Sequence, residues 1–172
     1  HAPERPDLLG DMLTLAALCS DFGAVKPIWI TEIGYPNHVG PGGATEWWSA
    51  VMLVRTYLTL WASRIVEKVF WYDFRDDADN PGYNEACFGI LHHDWTPKMQ
   101  YEAFSTMTSC LDGFEPLGRI DLGADVYLLR FRRENEELFV VWATGQNVRR
   151  PVPMPAPRVE IVKPWAETQT VE

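Results

Sequence analysis

Two short apolar runs in this chain end in an acid. KPIWITE (26–32) closes on Glu32, and KVFWYD (68–73) closes on Asp73. A carboxylate at such a position can take a proton, attack an electrophilic carbon or accept hydrogen bonds from a ligand. A carboxylate that acts as nucleophile must stay ionised, which requires donors around it and a partner acid whose pKa is held higher. The alternative is architectural: a buried glutamate paired with an arginine or capping a helix, since acids are seldom buried unpaired. Side chains alternate along a strand. Ile28, Ile30 and Glu32 are therefore expected on one face, and Val69, Trp71 and Asp73 on one face of the second run.

The elements that must carry these groups follow from periodicity. In DLLGDMLTLAALCSD (7–21), Leu8, Met12, Leu15, Ala16 and Cys19 recur at helical spacing, with Asp7 as N-cap and Gly23 past the end. KPIWITE reads as a buried strand between Pro27 and Gly34, and GYPNHVGPGG (34–43) as a loop. Thr45 suits the N-cap of a helix over 46–63. KVFWYD is a second strand, followed by a long polar loop and a helix over 97–111 with Pro97 in its first turn. Strands separated by helices of this length pair in parallel through right-handed crossovers. Both strands are apolar almost throughout, as when both faces of a sheet are covered. After Leu111 the pattern changes. Residues 126–133 and 137–143 form a β-hairpin, and the four prolines of RRPVPMPAPRVEIV (149–162) suit edge strands. The expected division is 1–113 and 114–172, the second part a small all-β unit.

Composition narrows the chemistry. The 172 residues carry a net charge of −9 at pH 7, which lacks the basic footprint that nucleic acid or anionic lipid requires. Cys19, Cys87 and Cys110 contain no CxxC pair, and the four histidines form no HExxH, so no metal site and no cofactor is indicated. Asp76, Asp77 and Asp79 lack the spacing of a calcium loop and are expected to be a solvated acidic stretch. GPGG (40–43) is not followed by the Lys-Ser/Thr of a phosphate cradle. No run approaches the roughly 20 apolar residues that cross a bilayer. The opening His-Ala-Pro-Glu, without a signal-type segment, is expected to be an internal start, and the compartment is not legible. Eight tryptophans suit a large core or a cleft with flat aromatic walls.

KPIWITEIGYP (26–36) resembles the seventh strand of clan A glycoside hydrolases. FWYDFRDDADNPGYNEACFGILHHDWTPKMQYEAF (70–104) resembles the eighth strand, loop and helix of the same clan, nearest to family 39 and family 5-like enzymes. The resemblance covers roughly residues 1–111. It implies the C-terminal part of a (β/α)8 barrel, strands 7 and 8 with their helices, followed by a sandwich-like β domain. It implies a retaining glycosidase acting on oligo- or polysaccharide, with Glu32 as nucleophile and Trp71 as the aromatic floor under the sugar. Tyr35, Asp73 and Arg75 fall where substrate contacts are expected, and His1 where a histidine often ends the sixth strand.

The clan's acid/base glutamate, in an Asn-Glu pair ending the fourth strand, has no counterpart here. NEA (84–86) lies in a loop and NEE (135–137) in a hairpin turn. A whole barrel takes about 250 residues. The expected partners are therefore a carbohydrate substrate and an N-terminal barrel portion, or a second copy that closes the barrel. Two other readings remain: a carbohydrate-binding module without chemistry, and a different (β/α)8 enzyme that uses Glu32 as an enolising base.

Overall fold

The computed structural model describes residues 6–145, 148, 151–152, 159–162 and 168–171; His1 lies outside them, as does most of the proline-rich stretch. The order begins with α1 (Pro6–Asp21), β1 (Ile28–Ile33), α2 (Glu46–Ser63), β2 (Val66–Trp71) and α3 (Met99–Leu111). It continues with β3 (Glu115–Asp121), β4 (Val126–Arg133), β5 (Glu136–Ala143), β6 (Val159–Val162) and β7 (Thr168–Val171). This is a mixed α/β chain with three small sheets among the described residues: β1–β2 parallel, and β3–β4–β5 and β6–β7 antiparallel. It divides into two compact units, 1–104 and 105–172. Among the described residues, no helix is long and apolar enough to cross a membrane.

Local chemistry sets the limits of α2. Thr45 is extended (φ −71, ψ 157) and its hydroxyl accepts the Trp48 amide at 3.1 Å, which satisfies one of the free first-turn donors. At the other end Arg64 turns left-handed (φ 58), and its amide donates to the Trp61 carbonyl at 3.1 Å. Between these caps Leu53, Leu58 and Leu60 are fully covered. Trp47 and Trp48, by contrast, both stay largely exposed and stack on each other at 5.7 Å.

The β1–β2 pair departs from regular alternation. Ile28 pairs with Val66, Trp29 with Lys68, Ile30 with Val69 and Ile33 with Trp71, with register shifts after Ile28 and between Ile30 and Ile33. Ile28, Val66 and Leu60 form a buried cluster, on which Leu8, Met12 and Ala16 of α1 pack together with Ile30 and Val69. Ile28, Ile30 and Val69 thus face the helices. Glu32 is exposed where Ile28 is buried and Ile30 half-buried, and the register is irregular between Ile30 and Ile33. The other face carries Trp29 and Phe70, each 49% exposed and paired at 6.3 Å, with the Lys68 ammonium 4.2 Å from the Trp29 ring.

The two loops that follow these strands are tied together by one buried cation. Lys98, immediately before α3, has a side chain only 1% exposed; its ammonium reaches both oxygens of Asp76 at 2.6 Å and the Asn37 side-chain oxygen at 2.8 Å. Asp76 also accepts the Gly89 amide at 2.9 Å. Asp76 is therefore a paired, buried acid and not part of a solvated acidic stretch. Around it the backbone of 88–91 laces to that of 73–76 through four amide–carbonyl bonds of 3.0–3.1 Å. A side chain at Gly89 would place its Cβ 2.1 Å from the Asp76 nitrogen, so only glycine fits there.

In the second unit Leu128 and Phe131 of β4 are fully buried. Glu137 of β5 pairs with Arg130 and Arg132, and these bonds hold its carboxyl below the usual range. The strand β3, which joins β4 from the other side, has no strong signal in the sequence because Pro116 and Gly118 interrupt it.

Removing one member of a buried ion pair strands the other. Lys98→Met is expected to lower unfolding stability by about 3–5 kcal/mol, read from denaturant titration. A loss below about 1 kcal/mol would mean that the pair is not what holds the loops.

Candidate active site

Parallel pairing brings the C-terminal ends of β1 and β2 side by side, so Glu32 and the residues around Trp71 belong to one end of one sheet. The link continues past the strands, where the Tyr72 amide donates to the Ile33 carbonyl at 2.8 Å. Gly34 makes this approach possible. A Cβ there would fall 1.8 Å from the Tyr72 carbonyl oxygen and 3.0 Å from the Phe88 ring.

Trp71 lies on the helix side of the sheet. Its ring is stacked on Tyr57 of α2 at 6.1 Å and tilted against Tyr35 at 5.8 Å, and its indole nitrogen is buried without a hydrogen-bond partner. Burial holds the Tyr57 hydroxyl above its ordinary pKa, and that hydroxyl donates to the Val69 carbonyl at 3.4 Å. Tyr35 and Trp71 are therefore brought together as one aromatic stack that fixes the strand end.

Tyr72 follows Trp71 at the strand end, and the charge of Glu32 reaches its hydroxyl. Its ring meets Phe88 edge-on at 5.4 Å. Its hydroxyl is raised above the ordinary tyrosine value, first by the negative charge of Asp77, then by burial and by the charges of Asp73, Glu85 and Glu32. Four carboxylates therefore act on one hydroxyl, and each disfavours its ionised form. Sequence reading passed over Tyr72 because it assumed an unbroken two-residue phase from Val69 through Asp73.

The remaining expected residues are engaged locally. Asp73 accepts the amide of Phe74. The Arg75 guanidinium donates to the His93 carbonyl at 3.3 Å and lies 4.5 Å from the centre of the Trp95 ring. A shallow cavity of about 430 Å³ opens between the two loops, lined by Pro36, His38, Val39, Pro41, Tyr83 and Asn84, and it includes none of the expected residues. Among the described residues, no group of three or more His, Cys, Asp or Glu side chains is arranged to hold a metal ion. The chemistry on offer is that of an exposed carboxylate at a strand end, whose charge reaches the Tyr72 hydroxyl among those of three other acids.

Gly34→Ala must push the Tyr72 carbonyl aside. It is expected to cost about 1–3 kcal/mol of stability and to change the environment of Tyr72, seen as a shift of that residue's ring signals by NMR. Unchanged Tyr72 signals would show that the strand ends tolerate separation.

No family model and no curated protein matches the chain. Among solved structures it is similar to a family 39 glycoside hydrolase from the gut symbiont Bacteroides cellulosilyticus WH2, with a TM-score of 0.67 and 25% identity over 89% of this chain. It spans 30% of the length of that structure. Two β-glucuronidases overlap more loosely. That of Bifidobacterium dentium, complexed with coumarin-3-O-glucuronide, has a TM-score of 0.40 and 21% identity over 69% of this chain and 20% of its own. A calcium-binding mutant of Bacteroides uniformis β-glucuronidase 2 has a TM-score of 0.43 and 12% identity over 79% of this chain and 23% of its own. The chain resembles a family 39 glycoside hydrolase both in its WITEIG and WYDFRD segments and in its fold.

Proposed function

We propose that this chain is part of a retaining glycoside hydrolase of oligo- or polysaccharide and supplies the nucleophile, Glu32. One observation carries the reading. In a chain similar to a family 39 glycoside hydrolase, Glu32 is an exposed carboxylate at the C-terminal end of a parallel strand, with the protonated Tyr72 hydroxyl in its field. That end of the strands is where (β/α)8 enzymes build their sites.

In this reading a Glu32 oxygen attacks the anomeric carbon while a second carboxyl group protonates the departing glycosidic oxygen. The bond to that oxygen breaks as the glycosyl ester forms. The second group then takes a proton from water, which attacks the same carbon and returns Glu32 as a carboxylate. The two carboxyls must stand about 5–5.5 Å apart. The acid/base is assigned to chain upstream of His1, since the Asn-Glu pairs within this sequence lie in a short 3-10 turn at 84–87 and at the start of β5, not at the end of a parallel strand. Tyr72 is the aromatic group proposed to meet the sugar, beside Trp71, the aromatic floor implied by the family resemblance, whose ring stacks on Tyr57 and tilts against Tyr35. Asp73 and Arg75 remain candidate substrate contacts.

β1 and β2 are read as two strands of a barrel. Within the described residues each pairs only with the other, and the face bearing Trp29 and Phe70 is half open. Unpaired edges and exposed aromatic surface of this kind call for cover. The upstream barrel portion is proposed to supply it, or a second copy when the chain is made alone.

Three outcomes test this reading. In the polypeptide that contains this chain and its upstream portion, Glu32→Gln is expected to lower kcat on aryl glycosides by about three orders of magnitude or more, because an amide cannot form the ester. Undiminished turnover would overturn the assignment. Tyr72→Phe, which keeps the ring, is expected to lose about tenfold in kcat/KM, roughly one hydrogen bond. The chain produced alone is expected to sediment as oligomers and to hydrolyse no glycoside, and a monomeric, active isolate would contradict the barrel reading.

A further inference from the structure

Trp95 occupies a position that a bulky residue rarely takes. Its φ is +72, in the left-handed region that glycine or asparagine adopts without strain, yet the residue is a tryptophan that is 60% exposed. The turn around it is closely held. The Trp95 amide donates to the His92 carbonyl at 3.0 Å, and the His92 amide donates to the Thr96 carbonyl at 2.9 Å. The Asp94 carboxylate accepts both the Thr96 amide and hydroxyl, at 3.0 and 2.6 Å. One face of the indole is covered by the Arg75 guanidinium, itself anchored on the His93 carbonyl. Phe74, 58% exposed, meets the indole edge-on at 6.5 Å. The result is a flat ring that is 60% exposed although the Arg75 guanidinium lies over one face, on a turn whose backbone is held. Strain retained at an exposed position points to a role outside folding.

We propose that Trp95, backed by Arg75 and Phe74, is a stacking platform for a sugar ring of an oligosaccharide or polysaccharide, away from the cleavage point. The ring sits on the loop that follows β2, at the same end of the parallel strands as Glu32. A pyranose presents a face of C–H groups that matches an indole in area. The patch of three side chains is far smaller than the roughly 800 Å² per partner of a stable protein interface, which favours a sugar over a protein. This rests on the glycosidase reading above and extends it to a distal subsite.

The geometry also supplies a clean test. Trp95→Gly removes the platform and relieves the backbone strain, so it is expected to fold at least as well as the parent, checked by thermal unfolding. Binding is measured in the Glu32→Gln background of the polypeptide with its upstream portion, by affinity electrophoresis in gels containing a neutral β-glucan, a xylan or a polygalacturonate. Trp95→Gly is expected to weaken retention by at least one of them by about three- to tenfold, with Trp95→Phe between the two. Equal retention of parent and glycine variant in every gel overturns the platform. So does a parent that none of the gels retards, or a glycine variant that unfolds at a lower temperature, which would make the tryptophan structural. Hydrolysis by the Glu32→Gln protein would instead sink the nucleophile assignment and leave the binding comparison standing.

Discussion

The end of the sheet that carries Glu32 depends on the buried ion pair of Lys98 and Asp76. An ammonium with almost no access to water is tolerable only if its donors are filled, and here two carboxylate oxygens and the Asn37 amide oxygen fill them. Because Asn37 follows β1, Asp76 follows β2 and Lys98 precedes α3, one cation fixes three backbone segments that share no secondary structure. The Gly89 approach and the amide–carbonyl lacing of 73–76 with 88–91 then hold the loop after β2 against its own start. Such a network specifies geometry more than it adds stability. A hydrophobic replacement of the whole pair could be nearly neutral, whereas loss of one partner could not.

Order and type of the early elements were legible because helical and strand periods are strong in 7–73 and the turn residues fall between them. α1, β1, α2, β2 and α3 all lie near their expected spans, and the 126–133 strand ends where expected. The side-chain faces of β1 were not legible. Alternation assigns Ile28, Ile30 and Glu32 to one face only if the register is unbroken, and the irregularity between Ile30 and Ile33 has no signature in residue type. Glu32 is exposed, whereas the isoleucines pack on α1 and α2. The same assumption drew attention to Trp71 and left Tyr72 unread.

Two residues carried signals that went unread. Gly34, directly after an apolar strand, reads as a loop residue, but its role is to let the Tyr72 backbone approach. Asp76 sits in a run of acids whose composition suggests solvent, and only the distant Lys98 reveals that it is paired. A long-range ion pair of this kind is invisible to local pattern. Trp95 is the opposite case: its type alone is ordinary, and its positive φ makes it notable.

The chain thus holds an exposed carboxylate at a strand end, a phenol whose pKa is raised by nearby negative charge, and loops locked by a buried cation. The proposed chemistry needs that carboxylate to form a covalent glycosyl ester. The most direct measurement is mass analysis of peptides after the polypeptide with its upstream portion reacts with 2-deoxy-2-fluoro glycosyl fluorides, which slow release of the intermediate. The account predicts one adduct of the fluorosugar mass on the peptide containing Glu32. An adduct on a different carboxylate, or products of inverted configuration with no adduct at all, would contradict it.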